Sequence, residues 1–66
     1  MIYPYGIGPE TTADGRTIYV ARSTCLKGCM AQGDTVREAL AELEENEKDW
    51  LEAAREFGLP IPEAPQ

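Results

Sequence analysis

Six carboxylates recur at three- or four-residue spacing in the second half of this 66-residue chain: Glu38, Glu42, Glu45, Asp49, Glu52 and Glu56. At that spacing they share one side of a helix. Such a row could hold a cation, meet a basic protein, or serve as a solvated face. Metal-dependent hydrolysis needs carboxylates that converge on cations from more than one element, and the segments that read as strands carry none. The chain has no histidine, which removes the commonest general base and a common zinc ligand. Ser23 lacks a nucleophile-elbow context. Gly6-Ile7-Gly8-Pro9 has no nearby lysine and loses an amide to proline, so it is not a phosphate loop. Cys25 and Cys29 are separated by three residues, not the two of the common redox motif. They read as small half-buried hydrophobes, with a redox pair as the alternative. These residues imply no catalytic group, no metal and no cofactor.

The charge is lopsided in place as well as in total. Twelve acids face six bases, for a formal net charge of −6. Nine of the acids lie between Asp34 and Phe57, against only Arg37, Lys48 and Arg55. Elsewhere the two signs balance, so the whole excess sits on one segment. Such a surface repels phosphates, and no direct nucleic-acid contact is expected. It attracts a basic protein. Glu42, Glu45, Asp49 and Glu52 are the candidate partner-binding residues. The plainer alternative is a solvated face that keeps the chain soluble.

The elements that must position these groups follow from pattern. A chain this short makes one domain, 1–66, and buries only about 60% of its unfolded surface. No signal-peptide pattern opens it, and no run of about 18 apolar residues occurs. The expectation is a cytoplasmic protein with no membrane segment. Strands are predicted over about 1–7, 17–23 and 29–32, a helix over about 35–57 and an extended tail over 59–66. The clearest strand is Thr17 to Ser23, which alternates Ile18 and Val20 with Tyr19, Ala21 and Ser23. Pro4 points to an edge strand or an irregular start, and the run from Gly8 to Gly15 reads as a connector. Thr35 and Glu38 fit a capping box, each side chain reaching the other's amide. Gly58 and Pro60 end the helix. Ile61 is expected to pin a short last strand or strap to the body.

On the helix, Val36, Ala39, Leu40 and Leu43 share a face with Trp50, Leu51, Ala54 and Phe57. Glu47 falls near the centre of that stripe and Asn46 at its margin. The pattern predicts two apolar patches split by a polar turn, with the second overhanging the sheet. Trp50, Leu51, Ala54 and Phe57 are therefore candidates for a homo-oligomer interface, in a dimer or tetramer. The small core and open strand edges point the same way. In the alternative, the Pro60-Ile61-Pro62 tail folds back over Trp50.

Tyr19-Val20-Ala21, Leu26-Lys27-Gly28-Cys29, Ala31-Gln32-Gly33-Asp34-Thr35, Trp50-Leu51 and Pro60-Ile61-Pro62 occur in an order and spacing that resembles the HicB family of antitoxins. The resemblance covers about Ile18 to Glu63. Lys27 stands where the family commonly has proline, and Asn46, Glu47 and Asp49 stand where it is commonly apolar. The resemblance implies an α+β fold, a partial ribonuclease-H-like β-β-β-α-β arrangement of three antiparallel strands, one long helix and a short last strand. It also implies a partner, a small basic toxin of the HicA type that cleaves mRNA. Many family members carry a further DNA-binding domain, for which these 66 residues leave no room. An orphan HicB-like oligomer with a different partner is the second reading. A vestigial nuclease is disfavoured by strands without carboxylates.

Overall fold

The computed structural model describes residues 3–63. Three antiparallel strands, β1 (Tyr5–Thr11), β2 (Thr17–Ser23) and β3 (Met30–Gly33), form one sheet in the order β1-β2-β3. One helix, α1 (Val36–Phe57), packs on one face. This is the expected α+β architecture. No helix among the described residues is long and apolar enough to cross a membrane.

β2 and β3 lie within a residue of their expected places, whereas β1 does not. The pattern predicts it over about 1–7, whereas it runs from Tyr5 to Thr11, through the segment that reads as a connector, and so carries one carboxylate, Glu10, where the predicted strands carry none. Register explains why Pro9 is tolerated there. Pro9 faces Tyr19, and the amide of Thr12 donates to the carbonyl of Arg16 at 2.8 Å. The ladder bonds between β1 and β2 therefore fall on the even residues of β1. The nitrogen of Pro9 points away from β2, where a missing donor costs nothing. The turn is Thr12–Arg16. Gly15 adopts φ 87° there, and Asp14 sits within reach of the Thr12 hydroxyl and 3.2 Å from Arg16.

Ile7, Ala21 and Ala31 lie side by side across the sheet on the face toward α1. Tyr3, Leu26, Cys29, Ala39, Leu43 and Leu51 complete the core with Ala21 and Ala31. The opposite face carries Val20, Arg22, Met30 and Gln32, with an exposed Arg22–Glu10 ion pair at 3.4 Å.

α1 begins and ends as its signals predict. The Thr35 hydroxyl accepts from the Glu38 amide at 3.1 Å. The returning bond differs by one residue, since the Glu38 carboxylate accepts from the Asp34 amide at 3.0 Å instead of that of Thr35. Gly58, at φ 68°, closes the helix. Its amide and that of Leu59 donate to Arg55 and Ala54, so the last turn is satisfied by a Schellman motif. Residues 59–63 form no strand. The strap is held by the Tyr3 hydroxyl, which donates to the Pro62 carbonyl at 2.5 Å. Ile61, expected to be the pin, is exposed. The rest of the predicted tail, 64–66, and the start of the predicted first strand, 1–2, lie outside the described residues.

The stripe on α1 is not interrupted. Ala39, Leu43, Glu47, Leu51 and Ala54 are all buried, and Glu47 retains only 4% exposure. The predicted polar gap is instead a carboxylate inside the stripe. The second patch does not overhang. Tyr3 and Leu26, which precede β1 and follow β2, join Leu51 in the core and extend the packed surface beyond the three strands.

Candidate protein-binding surface

α1 carries its charge in two strips. At about 100° per residue, Glu38, Glu42, Glu45, Asp49, Glu52 and Glu56 span an arc of about 80°, while Arg37, Lys48 and Arg55 fall within about 20° on another flank, with Glu44 beside them. All of these side chains are exposed. An ion pair between the strips, Glu45 to Lys48 at 3.7 Å, is two-thirds exposed on both sides and worth little. Asn46 and Ala53 lie between the acidic strip and the buried stripe.

Asn46 shows which way that strip faces. Its side-chain amide donates to the Met30 carbonyl of β3 at 2.9 Å. One turn on, the Trp50 indole N–H donates to the Lys27 carbonyl at 3.1 Å. These bonds moor the middle of α1 to β3 and to the β2–β3 loop. The margin of the acidic strip nearest Asn46, with Glu42 and Asp49, therefore borders the β3 side of the molecule.

Two shallow grooves flank the Asn46–Met30 tie. One, of about 370 Å³, is lined by Met30, Ala31, Gln32, Glu42 and Asn46, with Val20 beneath. The other, of about 310 Å³, includes Gly28, Cys29, Asp49 and Trp50. Of the four acids expected at a partner contact, Glu42 and Asp49 stand over these grooves. Glu45 and Glu52 are exposed on the same strip and line neither.

The four residues expected at an oligomer interface are separated by the fold. Leu51 and Ala54 are buried within the chain, Trp50 is half-buried and tied to Lys27, and only Phe57 is open, at 72% exposure. Leu59 and Ile61 are the exposed apolar residues that follow it. Cys29 is buried and Cys25 half-buried, as small hydrophobes would be. Burial, and then the nearby Glu47 carboxylate, push the Cys29 thiol above its ordinary range.

Asn46 and Gly33 are the positioning residues that pattern alone does not reveal. Asn46 sits at the stripe margin, where a polar side chain reads as solvent-facing. A side chain at Gly33 would meet the start of α1: its Cβ would lie 2.7 Å from both the Ala39 nitrogen and the Glu38 Cβ.

Sheet and helix together define a small α+β domain in which Glu42 and Asp49 of the acidic helix stand beside a sheet edge that no further strand covers among the described residues. The chain belongs to the UPF0150 family. It is 40% identical over 62 residues to the UPF0150 protein ssl0259 of Synechocystis sp., a match covering 94% of this chain and 80% of that relative. No protein-family model matches the chain, and no solved structure is significantly similar to it.

Proposed function

We propose that this chain is a HicB-like antitoxin module, a cytoplasmic protein that binds and neutralises a small basic ribonuclease of the HicA type and has no catalytic activity or nucleic-acid affinity of its own. The observation that carries this reading is the segregation of charge on α1. Six acids occupy one outward-facing arc, from which Glu42 and Asp49 reach the grooves beside β3, and the three bases lie on another flank together with Glu44. A helix face needed only for solubility gains from mixing the two signs. A face that recruits a cationic partner gains from separating them, through faster and salt-sensitive association. The ordered motifs from Tyr19 to Pro62 and the family membership support the same reading.

Co-expression with the flanking reading frames, followed by pull-down, tests it. A small basic protein should co-purify, and its RNA cleavage should be suppressed in the complex. Recovery of this chain alone from every such pair would count against the proposal.

A second reading, an orphan that associates with itself, is favoured by the exposure of Phe57, Leu59 and Ile61 at one end of the molecule. Light scattering at tens of micromolar separates the two. A monomer argues against self-association, while a dimer or tetramer that Phe57→Glu dissociates supports it.

A further inference from the structure

β3 ends the sheet on the side that Glu42 and Asp49 of α1 border, and among the described residues it has a strand neighbour on one side only. The direction of its backbone groups follows from the pairing. The amide of Ser23 donates to the carbonyl of Cys29 at 2.9 Å, and Ala21 faces Ala31. The bonds to β2 therefore fall on the odd residues, and Met30 and Gln32 turn their amides and carbonyls outward. Asn46 takes the Met30 carbonyl. The amide and carbonyl of Gln32 and the amide of Met30 remain as a template for a further strand.

The surroundings have the shape of a strand's seat. Glu42 and Asn46 rise from α1 on one side of this edge. Met30 and Gln32 lie on the opposite face of the sheet, opposite Arg22 and Val20. The groove of about 370 Å³ lies between them along the backbone of Ala31, and the groove below Asp49 continues it toward Gly28. A strand added here would run about 4.8 Å from β3, and the four residues of β3 present about 13 Å of edge.

Charge selects among occupants. A second copy of this chain, paired β3 to β3, would bring its own Glu42 and Asp49 to the same seam, where like charges oppose each other. A segment bearing lysine or arginine would meet complementary charge instead. We infer that the outer edge of β3 is a strand-addition site for an extended, basic segment of a protein partner, with Gln32 supplying the exchanged pair of backbone bonds and Glu42 and Asp49 supplying the charge preference. This deepens the proposed function and rests on it in one respect, that the partner is basic.

Three synthetic heptapeptides test the inference: alternating Lys-Val, the same peptide N-methylated at every second amide, and alternating Glu-Val. Binding is read by fluorescence polarisation at low salt and by amide chemical shifts of the labelled protein. The Lys-Val peptide should bind, shift the Gln32 amide and protect it from exchange. Removing its edge-facing donors should weaken binding about tenfold, as expected for the loss of one or two backbone bonds. The Glu-Val peptide should not bind at the same concentrations. The double variant Glu42→Gln with Asp49→Gln should weaken Lys-Val binding several-fold at low salt and leave it unchanged at high salt. Because methylation alters the probe and not the protein, no folding defect can mimic it. Equal binding of the two cationic peptides would overturn strand addition while leaving a basic partner intact. No binding of either would also overturn it, and the antitoxin reading would then be judged by the co-expression result alone.

Discussion

Replacing Gly33 with alanine should destabilise this protein out of proportion to a single added methyl group. β3 ends at Gly33, and α1 starts across it. A Cβ at this position would sit 2.7 Å from the Ala39 nitrogen, 2.7 Å from the Glu38 Cβ and 3.0 Å from the Glu38 carbonyl carbon. Two of those atoms are backbone of the first turns of α1, and Ala39 is fully buried. The clash cannot be relieved by a rotamer change. It must move the helix start relative to the sheet, which strains the Thr35 cap as well. Overpacking of this kind costs about 1–3 kcal/mol. In a domain of this size 1 kcal/mol shifts the melting temperature by about 4–8 °C, so a fall of roughly 5–20 °C is expected. Gly8→Ala is the control, since nothing lies within 4 Å of a Cβ there and a surface change of that kind stays within about 0.5 kcal/mol. Thermal and urea unfolding by far-UV circular dichroism measure both variants, with the urea slope confirming that the unfolding transition is comparable. If Gly33→Ala melted with the wild type, or Gly8→Ala fell as far, the close approach of β3 and α1 would not be a determinant of stability.

Thr35→Ala removes the side-chain acceptor for the Glu38 amide and should cost about 1 kcal/mol; an unchanged melting temperature would contradict the cap. Asn46→Ala frees the Met30 carbonyl and should cost about 1 kcal/mol, with the amide shifts of β3 moving more than those of β1. Burial and the Glu47 carboxylate hold the folded-state Cys29 thiol above its ordinary pKa of 9.0. The unfolded chain therefore loses this proton first as pH rises, and the stability of the folded state declines from about pH 9 upward. Cys29→Ala should flatten that alkaline limb in melts from pH 7 to 10.5, and equal slopes would refute the assignment.

How far the molecule is legible in its sequence differs from element to element, for physical reasons. β2 and α1 announce themselves because periodicity and caps are local. Ile18 to Ala21 alternate, and Thr35, Glu38 and Gly58 bracket the helix. β1 is misplaced because proline tolerance is not local. Whether Pro9 breaks a strand depends on which way its nitrogen faces, and the hairpin register sets that from residues on the far side of the turn. Glu47 reads as a gap in the stripe because a carboxylate is ordinarily exposed, yet its place between Leu43 and Leu51 on the buried face takes it inside. Trp50, Leu51, Ala54 and Phe57 share a face in sequence but part company in the fold, because Leu26 and Tyr3 come from segments with no periodic signal. The acidic row is legible as a row. That Glu42 and Asp49 border an open strand edge while Glu45 and Glu52 do not is fixed by the Asn46–Met30 bond, a contact between residues 16 positions apart.

Association of this chain with the small basic protein recovered by co-expression, followed by stopped-flow across a range of salt concentrations, decides the matter of function. The wild type should associate fast at low salt, slow steeply as salt rises, and suppress RNA cleavage at one-to-one stoichiometry. Reversing the strip with Glu42→Lys and Asp49→Lys should slow association several-fold at low salt and bring the two curves together at high salt. Association that ignores both salt and these reversals, or a complex that leaves cleavage untouched, would contradict an antitoxin acting through the acidic flank of α1.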